Sequence, residues 1–360
     1  MKYKTAIVGC GAISAKHIKA CIDTSDSSDL AALCDIDTGR AAALAREYAE
    51  TSGCAAPRVF GSHAEMLSEI NPDVVSIATS SSTHYQIAMD CLNTGAHLIL
   101  EKPIALSVSK AVEIVETARK LERKLAVCFV TRYAPHVQAL HKAVKAGELG
   151  NIFHGAIQLR WNRGDDYFTS APWRGTWRKD GGMLMNQGTH GIDLLLWLMG
   201  GEVSSVYGVG RRFQRPVEAE DFASAIIQFK DGAVAVVEAT INTYPSNLTQ
   251  TLTLFGKTGT VVLDGTHMGN VATWRVAGDD GQKAEKSPGI DTNGGLQGHS
   301  ALYDDFFDAI KNKRQPLVDG DEGLRSLRAI LAIYKSMRDR KEVNPPEEFA
   351  TSDMEGIWNS

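Results

Sequence analysis

No long apolar run, no block of like charge and no paired-cysteine motif occurs in this 360-residue chain. Each absence removes a class of function. Without a stretch near the roughly 20 apolar residues that cross a bilayer, no membrane span is expected. With 38 basic against 43 acidic residues and a formal net charge of -5, neither a nucleic-acid surface nor a membrane patch is expected. The six cysteines (10, 21, 34, 54, 91 and 128) all precede residue 129, and no two form C-x-x-C. That pattern indicates no structural zinc, no dithiol redox centre and no other metal site. Buried, reduced thiols in a cytoplasmic protein are the expectation. The opening "MKYKTAIVGCGAISAKH" is basic and then apolar. Its apolar run is short, broken by glycine and followed by Lys16 and His17, so it reads as a strand and turn rather than a leader.

What is present is enough apolar material, 43% of residues, for two cores. In the first third, short apolar runs ("KTAIVGCG", "LAALCDID", "VVSIATS", "HLILEKP", "LAVCFV") alternate with helical patterns ("AISAKHIKACID", "TGRAAALAREYAE", "THYQIAMDCLNTG", "SVSKAVEIVETARKLERK"). Strands that alternate with helices predict an α/β, doubly wound parallel sheet, placed here at residues 1–125. From 126 to 360 the pattern changes to strands joined by tight turns, with "KDG" and "GKTG" as hairpin turns. Helices are expected there at 182–199, 300–312 and 321–338. The prediction is an α+β domain with a large, open, mostly antiparallel sheet. The tail after Val343 has no periodic signal and reads as poorly constrained.

"AIVGCGAIS" places Gly9-x-Gly11-x-x-Ser14 between the first strand and helix. The first glycine permits a tight turn, and the second lets the backbone approach a pyrophosphate at the helix N-terminus. Ser14 replaces the usual third glycine. Asp35 ends the second strand, 21 residues beyond Ser14. A carboxylate there accepts hydrogen bonds from both adenosine ribose hydroxyls and repels a 2′-phosphate, so NAD is expected rather than NADP. Asp37 and Arg40 complicate that reading, because an arginine pairs with such a phosphate.

Glu101-Lys102-Pro103 follows a later strand. Carboxyl ends of strands face the ligand crevice in doubly wound folds, which places Lys102 for chemistry at the nicotinamide. Further on, "GGMLMNQGTHGIDLLLW" is an odd helix. Leu184, Gly188, Gly191, Leu195 and Leu198 project on one side; Asn186, His190, Asp193 and Trp197 project roughly opposite. Two glycines in a helix cost about 1 kcal/mol each, a cost explained if their face must press closely on a sheet.

These stretches, with "SIATSSSTHYQIAMDCLNTGAHLILEKPIAL" and "GHSALYDDFFDAIKNKRQPLVDGDEGLRSLRAILAIYKS", resemble the Gfo/Idh/MocA oxidoreductase family over nearly the whole chain. "EKP" and the downstream "GG-L-N-x-G-x-H" carry most of the likeness. The resemblance implies a Rossmann domain that binds NAD(P), a second α+β domain, and a sugar, cyclitol or nucleotide-linked sugar as substrate. By resemblance, Gly9, Gly11, Ala12, Ile13, Asp35, Thr79, Ser80, His84, Glu101 and Lys102 contact the cofactor. His190 is the acid–base that exchanges the substrate hydroxyl proton, with Lys102 as its catalytic companion. Asn186 stands where many relatives carry aspartate; it supplies no charge and is assigned to substrate orientation, with Asp193 beside it. In this respect the chain is similar to UDP-N-acetylglucosamine-type 3-dehydrogenases.

"RWNRGDDYFTSAPWRGTWRK" (160 to 179) holds three of six tryptophans and five cationic residues. Two readings stand. Arg160, Trp161, Trp173, Arg174 and Trp177 either cover a sugar or nucleotide, by stacking and by arginine–phosphate pairing, or they pack an oligomer interface. Arg132 and Tyr133, past a strand end, are further substrate candidates. His299 is a weaker one, because it is also placed to cap the helix that follows. A nucleotide-linked or acidic sugar is the favoured substrate, with a free inositol or simple pyranose next. A non-catalytic NAD-sensing binder is the alternative of a different class. "SAIIQF" and "AVAVVEAT", apolar at nearly every position, predict strands covered on both faces and a homodimer or homotetramer.

Overall fold

The computed structural model describes residues 2–277, 283–284 and 297–359. The chain forms two compact units. The first takes Met1–Ala105, Ser109–Tyr133 and Gly295–Leu324; the second takes Leu106–Val108, Ala134–Gly294 and Arg325–Ser360.

The first unit is built on a six-stranded sheet in the order β3-β2-β1-β4-β5-β6, parallel throughout. Its strands are β1 (Tyr3–Val8), β2 (Ser28–Cys34), β3 (Arg58–Phe60), β4 (Val74–Ile77), β5 (His97–Leu100) and β6 (Leu125–Val127). The helices between them are α1 (Ser14–Asp23), α2 (Thr38–Ser52), α3 (His63–Ile70), α4 (His84–Asn93) and α5 (Val108–Lys120). Every residue of β4 and β6 is buried, as strands covered on both faces must be. That burial is why these segments read as continuous apolar runs rather than alternating ones. The helix at residues 298–311 returns to this unit: Tyr3 and Phe307 stack with ring centroids 5.5 Å apart, and Leu302 and Phe306 join the core that contains Ile7 and Leu33.

In the second unit, α6 (Pro135–Lys145), β7 (Ile152–Arg160), α7 (Asp165–Thr169) and α8 (Thr189–Met199) precede a run of strands. These are β8 (Val203–Arg211), β9 (Phe222–Phe229), β10 (Val234–Thr240), β11 (Thr249–Gly256), β12 (Gly259–Asp264), β13 (Asn270–Ala277) and β14 (Lys283–Ala284). Further along the chain come α9 (Gly298–Lys311), which belongs to the first unit, and α10 (Gly320–Asp339), most of which belongs to the second. The eight strands order as β14-β13-β12-β11-β7-β10-β9-β8, and only β7 and β10 pair in parallel. Both expected hairpin turns, Lys230–Gly232 and Gly256–Gly259, join antiparallel neighbours.

β9 and β10 alternate buried with half-open or exposed residues, so one face of each is open within the chain. Apolar Phe222, Ile226, Val234 and Val236 share that face with Ser224, Gln228, Glu238 and Thr240. One expectation changes: the tail after Val343 is held. Val108 N–H donates to Phe349 O, Ser107 bridges Ala350, and Phe349 and Met354 are buried. A few anchored residues fix such a segment without any periodicity. α6 went unread, although Pro135 at its first turn and buried Val137 and Leu140 carry a start signal and an apolar face. Of the cysteines, five are buried and free, and Cys54 is free but exposed.

Candidate active site

The turn after β1 fits a dinucleotide. Gly9 has φ +99°, and a β-carbon there would lie 2.6 Å from the Ala78 carbonyl, so only glycine serves. At Gly11 an added β-carbon would meet nothing within 4 Å, which leaves the open approach that a pyrophosphate needs beside the first turn of α1. Ala12 and Ile13 are exposed on the same turn. Ser14 donates its hydroxyl to Gly11 O and is itself buried, filling the place of the third glycine. Asp35 accepts from Cys10 N–H at 2.7 Å and from Asp37 N–H at 2.8 Å, so its carboxylate is fixed on the turn. Arg40 is paired with Asp37 at 3.4 Å. Ile36, next to Asp35, is 97% exposed.

At the ends of β4 and β5 the side chains lock loops together. His84, buried at the start of α4, lies 2.8 Å from Pro103 O through Nδ1 and 3.1 Å from Thr79 O through Nε2. Burial lowers its pKa, and the two carbonyls oppose that drop. Thr79 Oγ1 accepts from Thr83, and Ser80 is half-buried beside it. Lys102 is half-buried, and its peptide bond to Pro103 is cis. Glu101 turns its carboxylate inward: Oε1 lies 3.2 Å from His17 Nε2 and 2.9 Å from His299 Nε2, and Oε2 accepts Lys102 N–H at 3.1 Å.

In the second unit, residues 184–188 form a π-helical turn rather than the α-helix expected, and α8 continues from Thr189. A π-turn takes up one more residue than an α-turn, so a uniform helical projection does not carry through it. Gly191 sits where a β-carbon would come within 2.8 Å of Ile157 on β7 and of Gln250 on β11, the close sheet contact expected of that face. Asn186 donates its amide to Asp180 Oδ1, whose Oδ2 accepts Gly175 N–H. His190 is half-buried. Asp193 is 1% exposed and accepts from Ser326 at 2.7 Å, so it ties α8 to α10. Beneath the π-turn, Glu220 accepts from Leu184 N–H and from the Tyr334 hydroxyl.

Residues 3–129 match the family model described as "Oxidoreductase family, NAD-binding Rossmann fold", and residues 137–262 match "GFO/IDH/MocA C-terminal domain". The WlbA dehydrogenase from Bordetella pertussis, solved in complex with NADH and UDP-GlcNAcA, is 32% identical with a TM-score of 0.85. The match covers 96% of this chain and 99% of that one. The chain belongs to the Gfo/Idh/MocA family. Among its curated relatives, D-apiose dehydrogenase from Paraburkholderia graminis is 26% identical over 357 residues, 95% of this chain and 89% of the relative. D-glucoside 3-dehydrogenase from Escherichia coli is 32% identical over 200 residues, 55% and 54% respectively. The protein is therefore an NAD-binding oxidoreductase of the sugar and polyol dehydrogenase kind.

In this Gfo/Idh/MocA member, the residues of the aromatic loop fall into two groups. Arg160 is held by Glu238 at 2.8 Å, and Trp177 is fully buried edge-to-face against Tyr334. Arg132 is fully buried and paired with Glu322 at 2.7 Å, while Tyr133 donates to Asp305 at 2.9 Å. Trp161 donates to Thr266 O and lies under Arg163, and Trp173 lies under Arg174. Sequence reasoning did not single out Arg163 or Tyr167. Arg174 sits 4.0 Å and Arg163 5.5 Å from the Tyr167 ring centroid, and Tyr167 accepts from Gln187, the neighbour of Asn186. His17 was also missed as a site residue. No local motif marks its link to Glu101, 84 residues away.

Proposed function

We propose that this dehydrogenase oxidises a ring carbinol of an anionic sugar, either nucleotide-linked or a uronate. The observation that carries the reading is the arginine pair on Tyr167. Both guanidinium groups are half-buried, and among the described residues neither has a carboxylate within ion-pair distance. Burial, and then repulsion from Arg174, lowers the Arg163 pKa, while Tyr167 opposes the drop. The buried Nε of Arg174 lacks a hydrogen-bond partner. Two like charges gathered without a counter-ion are disfavoured until an anion arrives, and phosphate or carboxylate matches the guanidinium fork. The WlbA neighbour solved with UDP-GlcNAcA supports the same substrate class.

In the proposed chemistry, neutral His190 takes the hydroxyl proton and Lys102 donates to the developing alkoxide. Asp180 holds the Asn186 amide, which orients the sugar. NAD, when bound, would supply a hydride acceptor, and the Gly9–Gly11 turn and Asp35 would hold it. Buried Asp193 is left out of the substrate contacts.

The test is NADH formation with UDP-N-acetylglucosamine, its uronic acid, myo-inositol and glucose. Arg174→Ala is expected to raise the KM for the anionic sugar about 10- to 100-fold with kcat little changed. Turnover of neutral polyols alone, indifferent to Arg174→Ala, would instead favour the inositol or pyranose reading. NAD binding without turnover of any sugar favours the sensor. The same proposal includes self-association through the open face of the sheet, where Tyr207, Val209 and Ile226 are 47%, 44% and 48% exposed. Ile226→Arg should reduce the solution mass measured by light scattering to that of one chain. An unaltered oligomer places the interface elsewhere.

A further inference from the structure

The first unit contains a buried chain of polar groups that the proposed chemistry does not use. It runs from Ser76 on β4 through Tyr303 on α9 to His17 on α1, then to Glu101 at the end of β5, where His299 of α9 joins. His17, Ser76 and Tyr303 are each 0% exposed, and Glu101 is 7% exposed.

Donor and acceptor chemistry fixes the direction of the chain of hydrogen bonds. The Glu101 carboxylate only accepts, so Nε2 of His17 and Nε2 of His299 carry the protons they point at it. His17 Nδ1, 2.8 Å from the Tyr303 hydroxyl, then accepts from it, and Ser76 donates to the Tyr303 oxygen. Burial lowers the His17 pKa, in keeping with a neutral ring, and raises that of Tyr303, which keeps its proton. Burial alone would raise Glu101; the two histidine hydrogen bonds hold it well below the usual carboxylate range. Burial, and then the charge of Glu101, also raise the pKa of the buried Cys128 thiol.

We propose that His17 and His299 are positioning residues: they clamp the Glu101 carboxylate, and Glu101 in turn fixes the backbone of Lys102 through the Lys102 N–H bond. The inference rests on the dehydrogenase reading for its kinetic consequence only. Because α1 is the helix that follows the Gly9–Gly11 turn, one clamp ties the cofactor turn and Lys102 to the same rigid group. The ligand atoms of His17, Glu101, Cys128 and His299 lie within 4.8 Å of one another, a spacing that also suits a metal ion. Hydrogen bonding is the better account. Both imidazoles aim at one carboxylate oxygen at 2.9 and 3.2 Å, and Nδ1 of His17 and Oε2 of Glu101 have partners of their own.

The experiment uses full-length protein with lysines reductively ¹³C-methylated, the Lys102 signal being assigned with Lys102→Arg. His299→Leu should shift the Lys102 resonance and lower kcat about 30-fold, with the sugar KM within about threefold. His299→Gln, which keeps an N–H donor, should restore both. Tyr303→Phe, which keeps the ring and releases Nδ1 of His17, should shift the resonance in the same direction, and it decides the matter if leucine at 299 unfolds the protein. A Lys102 resonance unmoved in these variants overturns the clamp. So does a stoichiometric divalent ion whose removal by chelator shifts the same resonance. A wild type that turns over no sugar sinks the dehydrogenase reading, and the resonance then judges the clamp alone.

Discussion

His190→Ala is expected to lower kcat about 1,000-fold while NAD affinity and melting temperature stay near those of the wild type. Proton transfer by a positioned side chain contributes roughly 100- to 10,000-fold, and no neighbour on α8 replaces it: Asp193 is bound to Ser326, and Leu194, Leu195 and Leu198 face the core. The fold should tolerate the change, because His190 is only half-buried and the tight sheet contact of the helix is made at Gly191. Lys102→Ala removes a donor to the alkoxide and should cost about 100-fold. If the two groups act on one hydroxyl, the double variant falls to about the His190→Ala level, not to the product of the two losses. Steady-state kinetics with NAD binding measured separately checks all three variants. A His190→Ala enzyme that keeps more than about a tenth of kcat would falsify its assignment as the acid–base.

The parts of the site legible in the sequence are those that backbone geometry forces. Gly9 is there because a β-carbon would strike Ala78, and Asp35 because a strand end must meet the turn it caps; both demands leave a local spacing. Lys102 was legible for the same reason, at a strand end before a proline. Contacts made across the chain leave no spacing. His299 and Glu101 are 198 residues apart, so the sequence offered only a possible helix cap. Helical projection set Asp193 beside His190. It could not anticipate the π-turn at 184–188 or the serine on α10 that buries Asp193. In the aromatic loop, composition singled out Arg174 with Arg160, Trp161, Trp173 and Trp177 but passed over Arg163 and Tyr167. Arg160 and Trp177 have partners within the fold, whereas Arg163 and Arg174 lie over the Tyr167 ring, the cluster proposed to receive an anion.

Glu220→Gln is expected to make the protein less sensitive to alkaline pH. Burial pushes the Glu220 carboxyl up to about 8, against the hydrogen bonds from Leu184 N–H and Tyr334 that favour its charge. An unfolded chain titrates that group near 4.5. Between those values the folded protein holds a proton that the unfolded chain has released, so the stabilising contribution is full below about 4.5 and is lost as pH rises through about 8. Each pH unit in that window costs about 1.4 kcal/mol, hence roughly 4 kcal/mol from pH 5 to pH 8. Glutamine keeps an acceptor for Leu184 N–H and Tyr334 but cannot ionise. All other groups titrate alike in the two proteins, so the difference between their urea unfolding curves isolates this carboxyl. The wild type should lose stability relative to Glu220→Gln steadily from pH 5 to pH 8, and parallel pH dependences would sink the idea. The consequence reaches the site, because Leu184 begins the turn that carries Asn186. Ionising Glu220 places an unwelcome buried charge under that turn, and catalysis should decline with stability on the alkaline side in the wild type but less so in the glutamine variant.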